Sequence, residues 1–116
     1  MKEFEQIPSM SEGDVETGGI NMTGWLDEDE ELLSGAEELT VTELDPVEGN
    51  ELTIENIIVN SVPVRIRGKT VAAGKAVLFS VSNQLKIQKR YRLHVMMTSN
   101  SLIPRIANRL AKFTVK

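Results

Sequence analysis

The chain has 116 residues, 41% of them hydrophobic and 26% charged, with no cysteine and a net charge of −4, which is the composition of one soluble globular domain. Without cysteine there is no disulfide framework, no thiolate metal site and no cysteine nucleophile. The opening "MKEFEQIPSM" has no apolar run of the signal-peptide kind, and no stretch approaches the ~20 apolar residues of a membrane span.

The small net charge conceals a division. All 17 acids lie at or before Glu55, and Lys2 is the one base among them, so residues 1–55 carry −16. The remaining 12 bases lie in residues 56–116 without a single acid, giving +12. A split of this kind points to electrostatic pairing within the chain, with another protein, or with nucleic acid.

In chain order, residues 1–24 are acidic, glycine-bearing and without periodicity. They are expected to form an extended acidic N-terminal arm, ordered only when another subunit or protein holds it. Phe4 and Ile7 are its apolar anchors. Residues 25–35 are bracketed by Gly24 and Gly35 and are expected to be a loop. From there to residue 116 the pattern is β. "ELTVTEL" (38–44) alternates, with Leu39 and Val41 on one face. "LTIENIIV" (52–59) is β-branched. "VPVRIR" (62–67) alternates, with Val62, Val64 and Ile66 on one side and Arg65 and Arg67 on the other, and Pro63 confines it to an edge or a strand start. Gly68-Lys69 is expected to turn. "VAAGKAVLFSV" (71–81) breaks at Gly74 and then alternates through Val77, Phe79 and Val81. "RYRLHVMMT" (90–98) places Tyr91, Leu93, Val95 and Met97 inward and Arg90, Arg92 and His94 outward. "SNSLIP" (99–104) reads as a loop, and "RLAKFTV" (109–115) as a closing strand. The expected fold is an all-β, Ig-like antiparallel sandwich of about seven strands over residues 25–116.

Enzymatic and metal sites find little purchase. Asp27, Asp29 and Glu31 have the alternate spacing that opens an EF-hand loop, but its sixth position is Leu32 where glycine is needed. Gly68-Lys69-Thr70 resembles the end of a phosphate loop, yet Pro63 stands where its first glycine belongs. His94 is the single histidine, too few for the usual zinc set, and no acid lies beyond Glu55 to orient it in a triad. No catalytic residue, cofactor or metal is expected. Nucleic-acid binding by the basic half, residues 56–116, is the alternative, but stacking platforms need exposed aromatics and Tyr91 falls on the inward face.

The remaining reading is protein binding. Trp25 and Leu26 make an apolar anchor, either in a partner's groove or in the chain's own sandwich. Asp27, Glu28, Asp29, Glu30 and Glu31 then face a basic partner, while Arg65, Arg67, Arg90 and Arg92 meet acids.

The order of "TGWLDEDEELLSGAEELTV" (23–41), "VAAGKAVLFSVSN" (71–83), "KRYRLHVMMTSN" (89–100) and "RLAKFTVK" (109–116) resembles the small β-sandwich virion proteins of tailed bacteriophages. It is similar to the fibre–tail adaptor family, and capsid decoration (cement) proteins also join a small sandwich to an arm. The resemblance implies a non-enzymatic structural protein of the virion, made in the host cytoplasm. Its partners would be the major capsid protein or tail and fibre proteins, and it would form a homo-oligomer or lie bound in a lattice.

Overall fold

The computed structural model describes residues 3–4, 16–35, 37–46, 48–49, 51–82 and 90–114. Among them are nine strands and no helix: β1 (Glu3–Phe4), β2 (Glu16–Asn21), β3 (Leu39–Leu44), β4 (Thr53–Val59), β5 (Val64–Ile66), β6 (Lys69–Val71), β7 (Ala76–Ser82), β8 (Arg90–Thr98) and β9 (Ile106–Thr114). They form three sheets, in the orders β2-β7-β4, β3-β8-β9 and β1-β5-β6. All pairings are antiparallel except β1 with β5. The fold is the all-β antiparallel sandwich expected.

The first two sheets close the main core. Val77, Phe79 and Val81 of β7 meet Leu39 and Val41 of β3, Tyr91, Leu93, Val95 and Met97 of β8, and Ala107 and Ala111 of β9. Ile20, Met22, Leu26, Leu32 and Leu52 complete it. The opposite face of β7 is also covered. Ala76 and Leu78 form a second apolar cluster with Val64, Ile66 and Val71 of the β5–β6 hairpin. A strand buried on both faces reads as a nearly continuous apolar run, and "AVLFSV" is that run.

Several boundaries differ from expectation for identifiable reasons. The arm expected over residues 1–24 gives up its last part to the domain. Glu16–Asn21 pairs along the whole of β7, with Gly18 opposite Phe79 and Gly19 opposite Leu78. Glycine is a poor strand former, so "ETGGIN" carries no strand signal, yet bulky neighbours cover the bare backbone once the strand is in place. Residues 5–15 of the arm, Ile7 among them, lie outside the described residues, and Phe4 enters only through the backbone pairing of β1 with Ile66. Strand β4 departs from alternation because its register shifts between Glu55 and Ile58, and Asn56 has φ 55°; this is a β-bulge. Strand β9 starts at Ile106, ahead of the residue 109 expected, because exposed Ile106 and Leu110 blur the alternation.

The β5–β6 connection is a two-residue turn with positive φ at both Arg67 (50°) and Gly68 (77°), the requirement of a type I′ hairpin. The expected turn is therefore displaced by one residue, and Lys69 belongs to β6. Val62, expected to join the inward face with Val64 and Ile66, precedes the strand and is exposed.

Asn60 fastens the loops beside β7. It is buried, at 3% exposure. Its Nδ2 donates to the carbonyls of Val62 (3.0 Å) and Ala72 (2.9 Å), and its Oδ1 accepts from the Ala76 N–H (2.9 Å). Its own carbonyl accepts from the Gly74 N–H at 2.8 Å. Removing the amide leaves the buried Ala76 N–H unpaired, at a cost of about 1–3 kcal/mol, and takes a partner from the part-buried carbonyls of Val62 and Ala72. Asn60→Ala is therefore expected to lose about 2–3 kcal/mol of unfolding free energy in urea titrations, whereas Thr53→Ala, at an exposed position, is expected to change it by less than about 0.5 kcal/mol.

Candidate functional site: the acidic turn and its fastenings

The chain's acidic run folds as a pair of tight turns. Asn21 Oδ1 accepts from the Thr23 N–H (3.0 Å) and its hydroxyl (2.7 Å), and the Met22 carbonyl accepts from the N–H groups of Trp25 (3.0 Å) and Leu26 (3.1 Å). The second turn spans Asp27 to Glu30. The Glu30 N–H donates to the Asp27 carbonyl at 3.0 Å, and the Asp27 N–H donates back to Glu30 Oε1 at 2.8 Å. Glu30 thus caps its own turn, and it is the one member of the run that is buried.

The partner of Glu30 is Arg105, 75 residues away. Arg105 Nη2 and Nε both donate to the Glu30 carboxylate, Nε at 3.3 Å to Oε2. The same guanidinium donates to the Trp25 carbonyl at 3.0 Å and lies 4.6 Å from the centre of the Trp25 ring. One planar cation therefore holds a carboxylate, a carbonyl and an aromatic face, a combination suited to Arg and not to Lys. The Arg105 hydrogen bonds, helped by the Asp27 N–H and Ser99, hold the Glu30 carboxyl down at about 2, against the opposing effect of burial. The carboxylate in turn pushes the Arg105 pKa further up.

A second cation fastens the turn from the other side. Lys75 Nζ donates to the carbonyls of Asp27 (3.0 Å), Glu28 (3.0 Å) and Glu30. Next to it, Gly74 has φ 82°, and a Cβ there would meet Glu31 side-chain atoms at 2.7 Å. Only glycine permits both the left-handed backbone and this approach. The Leu32 N–H donates to the Gly74 carbonyl at 2.8 Å. On the far flank Asn100 and Glu31 are joined twice, the Glu31 N–H to Asn100 Oδ1 and the Asn100 N–H to the Glu31 carbonyl, both 2.9 Å.

The expected partner-facing residues therefore separate into groups. Leu26 is in the chain's own core, and Trp25 is half-buried and packed against it. Glu30 meets a base, but within the chain. Asp27, Glu28, Asp29 and Glu31 are exposed. Arg65 donates to the Gly68 carbonyl at 3.2 Å and braces the hairpin turn in which Arg67 sits. Arg92 pairs with Asp45 across exposed surface. The side chain of Arg90 lies outside the described residues. Among the described side chains, the acids of 27–31 and Arg65, Arg67 and Arg92 do not converge on one site. Arg105, Lys75 and Asn100, which converge on the turn, were not singled out by sequence, and Gly74 was read there only as a strand break, because nothing local to them marks a contact with residues so distant in the chain.

Among the described residues, no group of three or more His, Asp or Glu side chains could hold a metal ion. An open cleft of about 420 Å³ is lined by Ser34, Leu39, Thr40, Val41 and Ile57, none of them ionisable. His94 Nε2 lies 2.8 Å from Asn108 Oδ1 on the outer face of β8 and β9.

The lowered Glu30 pKa sets a pH dependence. A carboxyl held below its ordinary value adds stability above that value, and the contribution disappears as pH falls through the folded one. For Glu30 the window runs from about 4.5 down to about 2. Glu30→Gln should thus be less stable than the native chain at neutral pH. The difference between the two unfolding curves should shrink below pH 4.5 and vanish near pH 2, as followed by circular dichroism.

Compared with known proteins, the chain matches no family model, no curated protein and no solved structure.

Proposed function

We propose that the chain is a non-enzymatic structural protein that acts by binding other proteins, as a component of a tailed-bacteriophage virion. The observation that carries the binding reading is the set of large aliphatic side chains left in solvent. Leu102, Ile103, Ile106 and Leu110 are all at least half exposed and lie on one loop and the strand that follows it. Exposed apolar groups concentrated on adjoining elements are typical of contact surfaces. The virion assignment rests on the resemblance of residues 23–41, 71–83, 89–100 and 109–116 to small virion β-sandwich proteins. Under it the protein is made in the host cytoplasm and resides in the particle. There it is a capsid decoration (cement) protein or a fibre–tail adaptor with an Ig-like sandwich. Phe4 and Ile7 of the arm would serve as additional anchors.

The basic half supports a second reading, nucleic-acid binding, through exposed Arg109 and Lys112. Two observations weigh against it. Tyr91 is 2% exposed and offers no stacking face. Arg92 and Arg105 are paired with carboxylates of the chain itself.

Quantitative mass spectrometry of purified phage particles tests the virion reading. A copy number near that of the major capsid protein is expected for a decoration protein that tiles the shell. A number roughly tens-fold lower is expected for an adaptor at the single tail vertex. Absence from the particles overturns the assignment. Retention on DNA that weakens steeply with salt would then favour the second reading.

A further inference from the structure

Four of the exposed large aliphatic side chains fall into two pairs whose neighbouring charges differ in sign. The first is the loop of residues 99–105, where Leu102 and Ile103 are 101% and 82% exposed. This loop is fastened internally. The Ser99 N–H donates to the Arg105 carbonyl (2.8 Å), the Arg105 N–H to Ser99 Oγ (3.0 Å), and Ser101 Oγ to the Ile103 carbonyl (2.7 Å). Its base is tied to the acidic turn through Arg105–Glu30 and the reciprocal Asn100–Glu31 bonds. The apolar tip is thus held ready, which lowers the ordering cost of a contact. Beside it the turn presents exposed Glu28 and Asp29, whose carboxylates have no partner among the described residues.

The second place is β9. Ile106 and Leu110 point outward, in register with Thr98 and His94 of β8. Lys112 shares that outward face and Arg109, opposite Val95, stands on the other face of this edge strand; both are exposed at the edge, and neither has an ion-pair partner among the described residues. Among those residues β9 pairs with β8 alone, in unbroken register over nine residues. One edge strand of the other main sheet differs: β4 carries the bulge at Asn56 together with exposed Glu55. Bulges and charges both protect a sheet edge, and of the two β9 carries charge alone.

We propose that these two surfaces are the halves of one contact between copies of this chain. The acidic, apolar-tipped end of one molecule docks on the basic, apolar β9 surface of the next. Their charges are opposite in sign, and each contributes two large aliphatic side chains. Symmetric pairing of β9 with β9 would bring Arg109 and Lys112 of both copies together, and crowding like charges across a sheet is unfavourable. A contact between unlike surfaces leaves one half open on each molecule, so it propagates into a ring or an open array. The proposal deepens the protein-binding reading by naming a second copy as a partner.

Sedimentation velocity of the full chain, with two charge-reversed variants, tests it. The native chain is expected to associate at low salt and to dissociate as salt screens the contact. Glu28→Lys/Asp29→Lys makes both surfaces basic, and Arg109→Glu/Lys112→Glu makes both acidic. Each variant alone should lose association by about tenfold or more, the change equivalent to 1.4 kcal/mol. An equimolar mixture of the two should recover it, since each then meets its opposite. Leu102→Ser/Ile103→Ser should weaken association while leaving the circular dichroism spectrum unchanged. A native chain that stays monomeric at every concentration overturns the proposal, and so does a mixture that fails to recover. Either result, obtained for a protein abundant in phage particles, would remove self-docking and leave the virion reading intact.

Discussion

Burial of β7 on both faces is the constraint on which the rest of the structure depends. Val77, Phe79 and Val81 need a sheet on one side, while Ala76 and Leu78 need cover on the other. The first demand is met by β3, β8 and β9, and the second by the β5–β6 hairpin. The backbone of β7 needs neighbours at both edges as well, and it takes β2 on one and β4 on the other. A domain of this length has one sizeable core to build around, and here that core is assembled about a single strand.

That arrangement also changes the meaning of the divided charge. Strands β2 and β3 come from the acidic half and β4 straddles the boundary at Glu55, whereas β7, β8 and β9 come from the basic half. Pairings β2–β7, β4–β7 and β3–β8 therefore stitch the halves together strand by strand. Glu30 with Arg105, Asp45 with Arg92 and the carbonyls of Asp27, Glu28 and Glu30 with Lys75 are the visible results. Surface ion pairs contribute little individually. The Arg105 cluster is different, because it joins a buried carboxylate, a carbonyl and an aromatic ring at one point. Its effect is to weld the 22–33 segment to the 99–105 loop. Charges left over after this internal pairing, such as Glu28, Asp29, Arg109 and Lys112, are those free to act outside the molecule.

The sequence showed most clearly those elements whose faces are unambiguous. Strand β8 was legible to the residue, because Tyr91, Leu93, Val95 and Met97 alternate with Arg90, Arg92, His94, Met96 and Thr98, all but Met96 polar. The turn at Gly74 and the inward set of β7 were legible for the same reason. What could not be read depends on partners far away in the chain. Gly18 and Gly19 become strand residues only because Phe79 and Leu78 stand beside them, and the two-residue β1 has no periodicity to detect. Leu26 looked like an anchor, and it is one, but nothing in "TGWLDED" indicates that its groove lies in the same molecule. Arg105 sits in a stretch that reads as an ordinary loop, so its convergence with Trp25 and Glu30 emerges only from the fold.

The chain has a single tryptophan, and the structure places its ring under the Arg105 guanidinium. The molecule consequently carries a built-in optical probe at the seam between its two welded loops. Indole emission is sensitive to nearby charge and to water, so a change in this one stacking contact alters both the colour and the intensity of the signal. Separation of the seam can be followed without any label, independently of the unfolding of the sheets beneath it.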